Sequence, residues 1–122
     1  MTAKKKILVV DDEPQVCEAI AMMLSFHGYE VVIAGGGNAA LTLFAQDKFD
    51  IVTTDYMMPE MNGMELALAI KAKAPDQPVI MITAHADLLN ASAVPLTGVD
   101  EVLSKPFRFG DLQAAIQKAM AR

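Results

Sequence analysis

The sequence lacks three features that would assign it to an obvious class. Its 122 residues include a single cysteine, Cys17, so no disulfide can form within the chain. The longest apolar run covers only residues 19–24, far short of the ~20 residues that a membrane-spanning helix needs. The apolar stretch near the start has four residues, whereas a signal peptide needs roughly 7–15. We therefore expect a cytoplasmic protein without a membrane partner.

Basic residues are also scarce. Lysine and arginine total 10 against 15 aspartate and glutamate, which gives a formal net charge of −5 at pH 7. Because nucleic acids are bound by basic faces, this balance argues against nucleic acid as a direct partner. Hydrophobic residues make up 53% of the chain, a share typical of a folded domain. We expect one domain over residues 1–122 and no second one.

Short apolar runs alternate with helical patterns along the chain. The predicted strands cover residues 7–10, 29–34, 49–54, 79–82 and 102–103, and a helical pattern follows each of them. The fourth helical pattern, at 86–94, is the weakest, and Pro95 ends or kinks it. Strands that alternate with helices form parallel sheets covered on both faces. The sequence therefore predicts an α/β fold, a doubly wound sheet of five parallel strands with five helices.

Charged and hydroxyl residues stand at the C-terminal ends of four predicted strands, where open parallel sheets bind their ligands. Burial of three neighbouring carboxylates would raise the pKa of at least one of them. Mg²⁺ removes that repulsion, because it takes oxygen ligands and usually keeps several waters. The sequence thus predicts a magnesium site at this edge. The residues concerned are Asp11 and Asp12 after the first strand, Asp55 after the third, Thr83 after the fourth and Lys105 after the fifth.

These groups suit phosphoryl transfer. The metal and Lys105 would neutralise the phosphoryl oxygens while a carboxylate oxygen attacks in line and forms an aspartyl phosphate. Asp55 is the best nucleophile, since Asp11 and Asp12 are better placed to hold the metal. Two other functions stay open: a Mg²⁺-dependent phosphohydrolase that uses Asp55 covalently, and a docking module that keeps the site without being phosphorylated.

Four motifs occur in a fixed order: ILVVDDEP at 7–14, DYMMPEMNG at 55–63, TAH at 83–85 and SKPF at 104–107. With these motifs the chain resembles the receiver domain of two-component response regulators over essentially its whole length. The resemblance implies a flavodoxin-like (CheY-like) fold and a place in a phosphorelay. The 122 residues leave no room for an output domain, so we expect either a stand-alone receiver or a receiver excised from a longer chain.

The resemblance also implies a role for each matching residue. Asp55 matches the phosphoacceptor, which takes its phosphoryl group from a histidine kinase or a phosphotransfer protein. Asp12 matches the carboxylate that contacts Mg²⁺ directly, and Asp11 matches its neighbour, which acts through water. The backbone carbonyl of Met57 matches the remaining protein ligand of the metal.

Two further matches concern the phosphoryl group itself. Thr83 matches the hydroxyl that moves toward the phosphate, and Lys105 matches the ammonium that pairs with it. The peptide bond from Lys105 to Pro106 matches one that the family holds in cis. The resemblance implies self-phosphorylation and slow self-dephosphorylation, but no turnover of an outside substrate.

Two positions depart from the family pattern. Val102 stands where the family commonly has an aromatic residue that reports phosphorylation, so we expect an altered output. The stretch 88–97 carries no charge, which argues against the dimer held by ion pairs that is familiar in this family. The expected state is a monomer or a weak, phosphorylation-dependent dimer that acts on an unidentified downstream protein.

Two features are expected to be structural. The run GGGNAA at 35–40 fits a dinucleotide-binding pattern, but it follows the second strand, and we interpret it as a flexible strand-to-helix turn. Cys17 lies among the residues of the first helix and is expected to be an inert packing residue.

Overall fold

The computed structural model describes residues 4–84, 86 and 98–121 and contains one sheet of five parallel strands in the order β2-β1-β3-β4-β5. The predicted parallel α/β fold is confirmed. Four of the five predicted helices lie among the described residues, whereas the predicted helix at 86–94, apart from Ala86, and the uncharged stretch 88–97 lie outside them. The elements are β1 (Lys6–Val10), α1 (Pro14–Phe26), β2 (Glu30–Ala34), α2 (Gly37–Gln46), β3 (Ile51–Thr54), α3 (Gly63–Lys73), β4 (Val79–Thr83), β5 (Glu101–Ser104) and α4 (Phe109–Met120).

Helices cover both faces of the sheet, and β1 shows how the sequence produces this arrangement. Its side chains alternate between the two faces, as those of any strand must. Ile7 and Val9 belong to the core beneath α1 and α4, while Leu8 and Val10 belong to the core beneath α2 and α3. A strand buried on both sides reads as an uninterrupted apolar run, which is why ILVV carries no polar alternation.

Local signals set the ends of the helices. Pro14 occupies the first turn of α1, where its missing N–H costs nothing, and Gly28 follows that helix with a φ of +91°. Asn62 caps α3: its side chain accepts from the Glu65 N–H at 2.8 Å, while the Glu65 side chain accepts from the Asn62 N–H at 3.0 Å. Within the described ranges, no helix is long and apolar enough to cross a membrane.

Candidate functional site

The carboxyl ends of β1, β3, β4 and β5 lie side by side, and backbone hydrogen bonds just past them fix the residues that follow. The Asp11 N–H donates to the carbonyl of Ala34 at 3.2 Å, and the Asp55 N–H donates to the carbonyl of Val10 at 3.1 Å. The N–H of Lys105 donates to the carbonyl of Thr83 at 3.0 Å. The predicted site residues are therefore held at one edge of the sheet.

Three carboxylates converge at this edge. Asp11, Asp12 and Asp55 each present a carboxylate oxygen, and these oxygens lie within 4.8 Å of one another. Asp11 and Asp55 are buried, while Asp12 is exposed. A set of hard, negatively charged oxygen donors at this spacing fits a divalent cation such as Mg²⁺. The chemistry of the residues present therefore agrees with the magnesium site that the sequence predicts.

Lys105 supplies the positive charge of the cluster. Its Nζ lies 3.0 Å from Oδ2 of Asp11 and 3.7 Å from Oδ2 of Asp55, so the ammonium is closer to Asp11. Its side chain is about 20% exposed, against 3% for that of Asp11. In this arrangement Asp11 is the nearer partner of the lysine, a preference that the sequence does not indicate.

Hydrogen bonds hold the two buried aspartates in place. Oδ1 of Asp11 accepts from the Glu13 N–H at 3.0 Å, and the Asp11 carbonyl accepts from the thiol of Cys17 at 3.3 Å. Oδ1 of Asp55 accepts from the Tyr56 N–H at 2.8 Å, while its Oδ2 is the oxygen near Lys105. Cys17 is buried as expected, and burial raises the pKa of its thiol.

The other residues singled out in the sequence lie in or just after the strands β3, β4 and β5. Thr83 is the last residue of β4 and is completely buried. Met57 follows Asp55 by two residues with its side chain exposed, and its role as a metal ligand stays a prediction. The peptide bond from Lys105 to Pro106 is cis, as the resemblance implies. Val102 lies half-buried in β5.

Gly63 is a residue of the site for which the sequence predicts no role. A Cβ built on Gly63 would lie 2.1 Å from the Asp55 carbonyl oxygen and 3.1 Å from the Tyr56 Cα. The N–H of Gly63 also donates to the carbonyl of Tyr56 at 2.8 Å. The start of α3 therefore packs directly against the backbone of Asp55. Only the glycine itself signals this contact in the sequence, because the neighbour that requires it is eight residues away.

Burial raises the pKa of the Asp55 carboxyl above its usual value, an effect that Lys105 opposes and Asp11 reinforces. A raised pKa in the folded state means that ionised Asp55 destabilises the metal-free protein. This loss of stability is absent below the carboxyl pKa of the unfolded chain, grows as the pH rises from there to the higher pKa of the folded protein, and is complete above it. We therefore expect metal-free Asp55→Asn to be more stable than wild type at pH 7, with the difference disappearing toward pH 3.

Urea unfolding with a chelator present, followed from pH 3 to pH 8, measures this difference. Asp76→Asn is the matched control, because Asp76 is exposed and precedes β4 at the opposite edge of the sheet. Its midpoint should follow that of wild type at each pH. An Asp55→Asn midpoint below that of wild type at pH 7 would contradict the expectation.

Comparison with known proteins agrees with this geometry. A family model described as "Response regulator receiver domain" matches residues 7–117. Among curated proteins, Response regulator MprA of Mycolicibacterium vanbaalenii is 37% identical over 117 residues, covering 96% of this chain and 51% of the relative. Probable transcriptional regulator ycf27 of Cyanophora paradoxa is 39% identical over 119 residues, covering 98% and 49% respectively. The chain spans about half the length of these relatives.

Solved structures are similar over nearly their whole length. A receiver domain protein from Clostridium thermocellum has a TM-score of 0.87 at 38% identity, covering 97% of this chain and 95% of that one. TrrA from Thermotoga maritima, solved in complex with Mg(2+)-BeF, has a TM-score of 0.86 at 36% identity, covering 94% and 98%. TrrA has also been solved in complex with the histidine kinase ThkA, and there it has a TM-score of 0.84 at 34% identity, covering 95% and 98%.

Proposed function

Because the chain belongs to the response regulator receiver domain family, we propose that it accepts a phosphoryl group on Asp55 in a Mg²⁺-dependent reaction. The observation that carries this proposal is the convergence of Asp11, Asp12 and Asp55 within 4.8 Å, with the Lys105 ammonium beside two of them. Three carboxylates that would hold Mg²⁺, together with the Lys105 ammonium, suit a reaction whose transition state carries negative charge on the phosphoryl oxygens.

Asp12, Asp55 and the backbone carbonyl of Met57 are the proposed direct ligands of the metal, and Asp11 is proposed to act on it through water. When bound, Mg²⁺ would neutralise part of the carboxylate charge and of the charge on the incoming phosphoryl group. The Lys105 ammonium would supply the second positive charge. It would leave the Asp11 carboxylate and pair with a phosphoryl oxygen instead. Because Oδ2 of Asp55 is already 3.7 Å from its Nζ, a phosphoryl group on Asp55 lies within reach of the ammonium.

The transfer itself is a displacement at phosphorus. A bond forms between a carboxylate oxygen of Asp55 and the phosphorus atom, while the bond from phosphorus to the donor's imidazole nitrogen breaks. The electron pair of that bond stays with the nitrogen, which takes up a proton. The side chain then carries the negative charge of a phosphate, roughly −1.5 to −2 at pH 7, in place of the single negative charge of the carboxylate. Thr83, at the end of β4, is proposed to move toward the new phosphate.

The proposed donor is a histidine kinase or a phosphotransfer protein, in line with the solved complex of TrrA and ThkA. The proposed output is a changed protein-binding surface that an unidentified partner recognises. Val102, at the third position before Lys105, has no ring to move between buried and exposed positions. We therefore expect the output to depend on Thr83 and the backbone of β5. The free, buried Cys17 is in keeping with the reducing cytoplasm as the proposed location.

The deciding experiment is mass spectrometry after incubation with acetyl phosphate and Mg²⁺. Wild type should gain one phosphoryl group, about 80 Da, and the gain should vanish when a chelator replaces Mg²⁺. Asp55→Asn, which keeps the size of the side chain, should gain nothing. Absence of the adduct from wild type, or its persistence on Asp55→Asn, would overturn the proposal. Steady phosphate release from p-nitrophenyl phosphate, abolished by Asp55→Asn, would instead indicate a phosphohydrolase.

A further inference from the structure

The glycine run at 35–37 contains one residue whose surroundings differ from those of its neighbours. A Cβ built on Gly35 meets no atom within 4 Å, whereas one built on Gly37 would lie 2.6 Å from Sδ of Met61 and 2.9 Å from its Cβ. Gly37 is the first residue of α2 and is buried. The third glycine therefore packs closely against Met61, and this contact accounts for the glycine at position 37 without nucleotide binding.

Met61 lies in the loop at 56–62, which joins β3 to α3 and leads directly out of Asp55. A second contact binds the same loop to α2: the side-chain amide of Asn38 donates to Oε2 of Glu60 at 3.3 Å. Glu60 has a φ of +69°, a backbone conformation that non-glycine residues seldom adopt. The loop thus has a defined shape where it meets the start of α2.

Both ends of this loop are fixed at the candidate site. At one end the Asp55 N–H donates to the Val10 carbonyl, and at the other the Gly63 N–H donates to the Tyr56 carbonyl. Met57, whose carbonyl is a proposed metal ligand, lies between these anchors. A displacement of Met61 therefore has to be absorbed by the short stretch that contains Met57.

We infer that Gly37 and Met61 are positioning residues for the metal site: the close contact between them sets the conformation of the loop that carries Met57. This inference rests on the proposed function, since it concerns the same magnesium site. A side chain at position 37 would push on the Met61 Cβ, which rotation of the methionine cannot move aside. The loop backbone would have to shift, and the metal ligands with it.

A double-mutant cycle tests the inference, with Mg²⁺ affinity read from the backbone amide shifts of Asp12 and Met57 in NMR titrations. We expect Gly37→Ala to weaken Mg²⁺ binding about tenfold, as loss of a residue that orients metal ligands does. In the Met61→Gly background the same change should alter the affinity less than twofold, because the methionine atoms that it meets are gone. Gly35→Ala is the matched control and should bind like wild type.

Two results would overturn the inference: equal affinities of Gly37→Ala and Gly35→Ala, or an equal effect of Gly37→Ala in both Met61 backgrounds. If Gly37→Ala alone does not fold, a folded Gly37→Ala/Met61→Gly variant supports the steric contact, and an unfolded one overturns it. Failure of the proposed function would be seen separately, because wild type itself would then show no Mg²⁺-dependent amide shifts at Asp12 and Met57.

Discussion

Gly63→Ala should destabilise the protein by about 3 kcal/mol and abolish phosphorylation of Asp55. The added methyl carbon would lie 2.1 Å from the Asp55 carbonyl oxygen and 3.0 Å from its carbonyl carbon. Both are backbone atoms, so no change of rotamer relieves the overlap. Either α3 moves away from β3 or the Asp55 backbone moves out of the cluster. Urea unfolding measures the first consequence, and mass spectrometry after acetyl phosphate treatment measures the second.

Gly110→Ala is the matched control for this variant. Gly110 also lies in the first turn of a helix, α4, but a Cβ built on it meets no atom within 4 Å. Alanine favours helices over glycine by about 1 kcal/mol, so Gly110→Ala should be as stable as wild type or more stable, and fully phosphorylated. Equal unfolding midpoints for Gly63→Ala and Gly110→Ala would contradict the packing that we describe.

The contrast between these two glycines shows where sequence-based prediction stops. The sheet and four of its helices could be predicted, because apolar runs and helical periodicity are local properties of the sequence. They determine directly which side chains enter the core. In the last helix, Leu112, Ile116 and Ala119 recur at helical spacing in the sequence, and all three are buried. Whether a glycine is open or packed against another backbone depends on residues that the fold alone brings near.

The candidate site shows the same division. The positions of Asp11, Asp12, Asp55 and Lys105 at the ends of predicted strands placed them at one edge, since the carboxyl ends of parallel strands share an edge. The pairing inside the cluster could not be predicted, because it depends on fractions of an ångström and on burial. Lys105 lies closer to Asp11 than to Asp55, and of the first two aspartates only Asp12 is exposed.

That pairing has a measurable consequence, because Lys105 and a bound cation act on the same oxygens. Lys105→Met removes the positive charge 3.0 Å from Asp11 and leaves three carboxylates without it. Repulsion among them then favours a divalent cation more strongly than in wild type, so Mg²⁺ should bind more tightly. Phosphorylation should nevertheless slow about 100-fold, as expected when a group that stabilises transition-state charge is lost. Metal affinity and reaction rate thus change in opposite directions.

Lys71→Met provides a closely matched control, since Lys71 is also about 20% exposed and pairs with an aspartate, Asp100, at 2.8 Å. It lies in the last turn of α3, at the opposite edge of the sheet, so its loss should change neither the Mg²⁺ affinity nor the rate with acetyl phosphate. NMR titration with Mg²⁺ and timed mass spectrometry measure the two quantities on the same samples. Weaker Mg²⁺ binding by Lys105→Met would mean that the lysine organises the carboxylates rather than competing for them. An unchanged rate would remove Lys105 from the transfer step.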